Sequence, residues 1–235
     1  YALLRKGANV DSKNTKGETL LHLASAKNDL RLIRFLLKKK ANINIKSNNK
    51  MTPFMVAVKN KKGYLSKMFY DKNPDVSLQD GFGQTVFHYL ANGWSTYLLK
   101  IMSKKGVQKG INKADNDKRT ALSIAVSRRQ HAIVKLLLSM GADPNSKDKF
   151  DRSLLYVSFT KNDYRLVKLL VEKGIDINNK FGTGIYPLMK AITMRNHFIV
   201  KLLLKNKADI KIKDSKGQSP LALAVEKRLA HITKL

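Results

Sequence analysis

Between Arg119 and Asp148 two short apolar runs alternate with polar breaks. The second run places Ile133, Val134, Leu136, Leu137 and Leu138 at helical spacing. The first is shorter and rich in small residues, a polar Arg128-Arg129 break separates the two, and Gly141-Ala142-Asp143 ends the pair. This pattern predicts two short helices joined by a tight turn and followed by a polar loop. Neither helix is long enough to bury its apolar face alone, so the unit needs copies of itself on both sides.

The chain supplies them. Thr19-Leu20-Leu21-His22 returns as Thr52-Pro53-Phe54-Met55, Thr85-Val86-Phe87-His88, Thr120-Ala121-Leu122-Ser123, Ser153-Leu154-Leu155-Tyr156, Tyr186-Pro187-Leu188-Met189 and Ser219-Pro220-Leu221-Ala222. The step is 33 residues except for one of 35. A second marker keeps the same phase, in Gly7-Ala8-Asn9, Lys40-Ala41-Asn42, Gly141-Ala142-Asp143, Gly174-Ile175-Asp176 and Lys207-Ala208-Asp209. Thr or Ser at the first marker caps a helix N-terminus, and Pro53, Pro187 and Pro220 fall where no N–H is missed. Ala24, Ala57, Ala125, Ala191 and Ala224 let neighbouring first helices approach closely. Gly141 and Gly174 suit a left-handed helix end, and Lys40 and Lys207 must either adopt that strained conformation or change the cap.

With its turn, Thr-Pro-Leu-His start, helix pair and Gly-Ala-Asp end at a period of 33, the unit resembles the ankyrin repeat. The resemblance covers essentially all 235 residues. It implies an all-α repeat solenoid of stacked helix-turn-helix units with hairpin-like fingers. Units are expected at 1–13 (partial), 14–46, 47–79, 80–114, 115–147, 148–180, 181–213 and 214–235 (truncated), forming one array over 1–235. Residues 80–114 break the period. The two extra residues are expected to bulge at Lys109-Gly110-Ile111-Asn112, and Asn92-Gly93 is expected to end the first helix early. Trp94, the one tryptophan, follows at once, as either a packing repair or a functional feature.

Lys and Arg number 46 against 17 Asp and Glu, a formal charge of +29, which attracts anionic partners. A compositional habit that fills solvated positions with Lys explains the same count. The absence of cysteine excludes a disulfide framework and a thiolate site here, and no apolar run approaches the length of a membrane span. The opening Tyr1-Ala2-Leu3-Leu4 lacks a signal-peptide layout and reads as the middle of an element. Localisation is unknown, with the cytoplasm favoured.

Catalytic chemistry finds little support. The resemblance gives His22 and His88 a structural hydrogen bond to turn backbone, and no His pair has metal-ligand spacing. Carboxylates such as Asp115, Asp143, Asp176 and Asp209 recur with the repeat, so none stands out as half of an acid–base pair. No enzyme activity, metal or cofactor is expected.

The resemblance implies that finger tips and first helices line a concave binding groove. Candidate partner-binding residues there are Lys27, Lys59, Phe82, Trp94, Arg128, Arg129, Phe150, Lys161 and Arg195. Arg34, Lys67, Lys100, Lys135, Lys168 and Lys201 fall on second helices and read as a solvated convex face. The expected function is a monomeric, non-catalytic protein-interaction scaffold that holds an acidic protein partner in this basic groove. The alternatives are sequence-independent nucleic-acid binding and service as the targeting module of a larger protein.

Overall fold

The computed structural model describes residues 4, 6–93, 96–147, 150, 152–182 and 184–233. Among the described residues, all regular structure is helical apart from isolated antiparallel bridges at Lys13–Thr19 and Lys147–Ser153. The chain divides into two compact units, Tyr1–Asn116 and Asp117–Leu235. The first holds α1 (Leu20–Lys27), α2 (Leu30–Lys38), α3 (Pro53–Lys59), α4 (Gly63–Tyr70), α5 (Val86–Ala91) and α6 (Thr96–Lys104). The second holds α7 (Ala121–Ser127), α8 (His131–Ser139), α9 (Leu154–Thr160), α10 (Tyr164–Glu172), α11 (Pro187–Thr193), α12 (His197–Lys205), α13 (Pro220–Glu226) and α14 (Ala230–Thr233). Odd-numbered helices open a repeat and even-numbered helices close it.

The caps act as the sequence predicts. The hydroxyls of Thr52, Thr120, Ser153 and Ser219 accept from the backbone N–H three residues on, at 3.1–3.2 Å. Pro53, Pro187 and Pro220 occupy the first turn of their helices. Ala57, Ala125 and Ala191 are completely buried, where first helix meets first helix: α1 with α3 and α3 with α5 in one unit, α7 with α9, α9 with α11 and α11 with α13 in the other. Phe54, Phe69, Phe87 and Phe159 fill the space between helix layers. Each such side chain contributes about 1.5–3 kcal/mol by leaving water.

Backbone conformation settles the question at Lys40 and Lys207. Both take the left-handed form, at φ +60° and +63°, matching Gly141 at +86° and Gly174 at +78°. The cap is kept, at a strain of about 1–2 kcal/mol for each lysine. A second left-handed row between the two helices was not visible in the sequence. It runs through Asn28, Lys61, Arg129, Asn162, Arg195 and Arg228, so Arg129 and Arg195 sit on a sharply turned backbone.

The irregular repeat departs as its sequence suggests. α5 has six residues where α3 and α7 have seven, and Gly93, at φ +90°, takes the left-handed turn. The extra residues widen the loop into a turn over 109–112, closed by the Ile111 N–H on the Gln108 carbonyl at 2.9 Å. Gly110, at φ +82°, lies so close to the preceding finger that a Cβ would stand 2.7 Å from Cα of Ser77. Only glycine fits there.

Successive fingers are tied by one recurring bond. The N–H groups of Asn42, Asp75, Asp176 and Asp209 donate to Oδ1 of Asp11, Asn44, Asn145 and Asn178, each 31 residues earlier, at 2.9–3.0 Å. The carboxylates of Asp176 and Asp209 in turn accept the N–H groups of Asn178 and Lys211. These acids serve the turns.

Candidate interaction surfaces

In the second unit a cleft of about 430 Å³ opens between α7 and α9. Its lining includes Arg119 and Arg152 from the segments leading into those helices, Lys161 just beyond α9, and the hydroxyl residues Ser123, Ser127 and Thr160. The three hydroxyls donate within their own helices, Ser123 to the Thr120 carbonyl, Ser127 to Ile124 and Thr160 to Val157, at 2.8–2.9 Å. Their protons are therefore committed, and their lone pairs remain to accept. Arg119 reaches the Asp117 carboxylate at 3.1 Å, and the Arg152 guanidinium lies 4.8 Å from the Phe150 ring centre.

Of the residues picked from sequence, Lys161 lines this cleft, and Phe150 borders it through Arg152. Phe82 and Phe150 are 69% and 63% exposed, so neither is absorbed by a neighbouring finger. Lys27, Lys59, Arg128 and Arg195 are exposed, with the Lys59 ammonium 6.0 Å from the Tyr89 ring centre. Trp94 lies outside the described residues.

Arg129 has an internal partner. Its Nε donates to Asp163 Oδ2 at 2.8 Å, and His131 Nε2 meets both oxygens of the same carboxylate at 3.0 Å. Asp163 is buried at the N-terminus of α10, where it also accepts the Leu166 N–H at 3.2 Å. Burial alone would raise its pKa, but the bonds from His131, Arg129 and Leu166 outweigh it and hold the carboxyl below its ordinary value. This cluster joins one helix pair to the next, 32 to 34 residues apart in sequence.

His22 is a structural histidine. It is buried, its Nδ1 accepts the Thr19 N–H at 3.1 Å, and the remaining ring N–H at Nε2 donates to the Met51 carbonyl at 3.0 Å. Thr85 and His88 repeat the first of these bonds at 3.1 Å. Burial is the leading influence on the His22 ring and holds its pKa below the free value of 6.5. Because the folded-state pKa is depressed, the stabilisation is present above pH about 6.5 and is lost as pH falls through the folded value. Thermal melts from pH 7.5 downward should therefore show a steeper acid-side loss for the natural chain than for His22→Gln; parallel curves would contradict this.

A further set of exposed aromatics escaped the sequence reading. Tyr64 and Tyr97 are 62% and 59% exposed in the first turns of α4 and α6. Tyr164 and Phe198 hold similar places on α10 and α12, with ring centres 6.0 Å apart. The 33-residue step from Tyr64 to Tyr97 is the sequence signal for this pair.

Comparison with known proteins matches this architecture. A family profile described as ankyrin repeats, in three copies, covers residues 1–68, 61–148 and 154–235. The chain is similar to the solved ankyrin repeat domain of Bcl-3, a member of the IkappaB protein family, with a TM-score of 0.75 and 26% identity over 94% of this chain and 100% of that one. It is 34% identical to alpha-latroinsectotoxin-Lt1a of Latrodectus tredecimguttatus over 36% of its own length and 6% of the toxin. Against the nuclear factor NF-kappa-B p105 subunit of Rattus norvegicus it is 26% identical over 58% of its length and 15% of that protein. The chain thus spans a small part of each of these two longer relatives. The periodic markers, the paired helices and the family match agree, and the chain belongs to the ankyrin-repeat family.

Proposed function

We propose that the chain is a non-catalytic scaffold that holds an acidic, extended protein segment, anchored in the cleft between α7 and α9. The family's repeats are protein-interaction modules, which supports the general class. The observation that carries the finer reading is the chemistry of the lining. Arg119, Arg152 and Lys161 offer positive charge, while Ser123, Ser127 and Thr160 have spent their protons on helix carbonyls and can only accept. A peptide with acidic side chains supplies both complements, carboxylates for the cations and backbone N–H groups for the hydroxyl oxygens. A phosphate backbone brings acceptors alone and gains nothing from those hydroxyls. The overall charge of +29 adds long-range attraction that speeds encounter.

The test uses the full chain, a fluorescein-labelled glutamate-rich peptide and a labelled single-stranded oligonucleotide at about 0.15 M salt. Arg152→Glu with Lys161→Glu should weaken peptide binding about tenfold or more, about 1.4 kcal/mol at the least. Lys201→Glu with Lys205→Glu makes the same charge change on α12 and should cost less than about threefold. Equal losses, or tighter binding of the oligonucleotide than of the peptide, would overturn the assignment.

A further inference from the structure

The second-helix side of the unit Tyr1–Asn116 carries a pocket that the proposed groove does not use. Gly63, Tyr64, Lys67, Met68, Asp71 and Tyr97 enclose a cleft of about 580 Å³, within the size range of specific ligand sites. Two exposed tyrosines one repeat apart form its walls. Large aromatic rings held at a protein surface expose apolar area that water solvates poorly, and Tyr and Arg are prominent among residues that dominate interface energetics. Tyr64 is held in place: its hydroxyl oxygen accepts from Arg34 Nη2 at 3.0 Å, which leaves its own proton free to be donated outward.

Charge identifies the occupant. Arg31, Arg34, Lys38, Lys67, Lys100 and Lys104 all lie on α2, α4 and α6, and those helices contain no acidic residue. Asp71, just beyond α4, is already engaged by Lys67, with Lys105 4.0 Å away. The surrounding helices are therefore cationic, and the cleft itself is lined by the two tyrosines, Met68 and the Lys67–Asp71 ion pair. We infer that this cleft is a second docking site, which takes a bulky apolar side chain from an acidic protein segment while its neighbouring carboxylates meet the Arg34 and Lys100 rows. Met68 suits this role because its flexible, polarisable side chain adapts to an inserted ring.

The experiment compares two fluorescein-labelled glutamate-rich peptides that differ only at one central residue, phenylalanine or serine, with a labelled oligonucleotide as a third probe. Binding is measured by fluorescence anisotropy to the full chain. It is repeated with the Arg152→Glu, Lys161→Glu variant, so that failure of the first groove and failure of this site are told apart. The phenylalanine peptide should bind about tenfold more tightly than the serine peptide in both proteins. Tyr97→Ala should abolish that preference, and Tyr97→Phe should retain it. Tyr97 is exposed, and an unchanged thermal melt would confirm that its loss leaves the fold intact. Equal affinity for the two peptides, a preference that survives Tyr97→Ala, or a preference that disappears with Arg152→Glu and Lys161→Glu would each overturn the site. So would an oligonucleotide that binds more tightly than either peptide and is weakened by Tyr97→Ala.

Discussion

Phe159→Ala is expected to lower the unfolding free energy by about 3–5 kcal/mol, the largest single effect anticipated in this chain. The side chain is fully buried on α9, and its ring meets Phe181 edge-on at 5.5 Å, with Tyr156 meeting the same ring at 5.2 Å. Truncation removes the transfer energy of the ring, leaves a cavity that stacked neighbours cannot close, and breaks an aromatic pair worth about 0.5–1.5 kcal/mol of that total. Phe159→Leu keeps most of the volume and should cost about 1.5 kcal/mol. Urea titrations of the three proteins make the comparison. A loss below about 1 kcal/mol for the alanine variant would mean that the site collapses and that repeat stacking here is looser than the geometry shows. The consequence reaches function, because α9 also carries Val157 and Thr160 into the proposed peptide cleft.

Asp80→Ala is expected to cost about 3 kcal/mol, for a different reason. Asp80 is 4% exposed, and its Oδ1 accepts the N–H groups of Phe82 and Gln84 at 2.9 and 2.8 Å. Its other oxygen accepts the hydroxyl of the buried Tyr89. Burial foremost, then the bond to and charge of Asp80, hold the Tyr89 hydroxyl far above the ordinary tyrosine pKa, so it remains a donor. Removing the carboxylate orphans three donors at once, whereas Tyr89→Phe removes one bond and should cost about 1 kcal/mol. The double variant should be more stable than the sum of the two losses implies, because Tyr89→Phe deletes the donor that Asp80→Ala strands. Strict additivity in denaturant titrations would show that the two groups do not act together. The same carboxylate fixes the turn that presents Phe82, so a peptide contact at that finger tip depends on it.

Much of the fold was legible because ankyrin-type order is local. Thr52 caps α3 and Pro53 starts it whatever lies beyond, since both act within one helical turn. The 35-residue repeat was legible for a similar reason: an insertion must emerge where phase is lost, and it did so at 109–112. Phe82 and Phe150 were not legible in this way: their finger-tip position fits both exposure and packing against a neighbouring finger, and the structure exposes them.

The candidate site was less legible, and the reason is pairing across repeats. By sequence Arg129 is a candidate partner-binding cation, yet it donates to a carboxylate 34 residues away. Arg34 is an exposed cation, as its sequence position suggests, and it also orients Tyr64, 30 residues on. Arg119, Arg152 and Lys161 become one cleft only when α9 is laid beside α7.

The repeat, the helix pairs, their caps and the strongly positive charge follow from the sequence alone, because each is set by spacing within one unit or by simple count. Stacking of the repeats decides which cations are spent on internal partners and brings Tyr64 and Tyr97 to the walls of one pocket. Those outcomes depend on side chains about 30 residues apart being brought within about 3–6 Å by stacking, a distance no local pattern encodes.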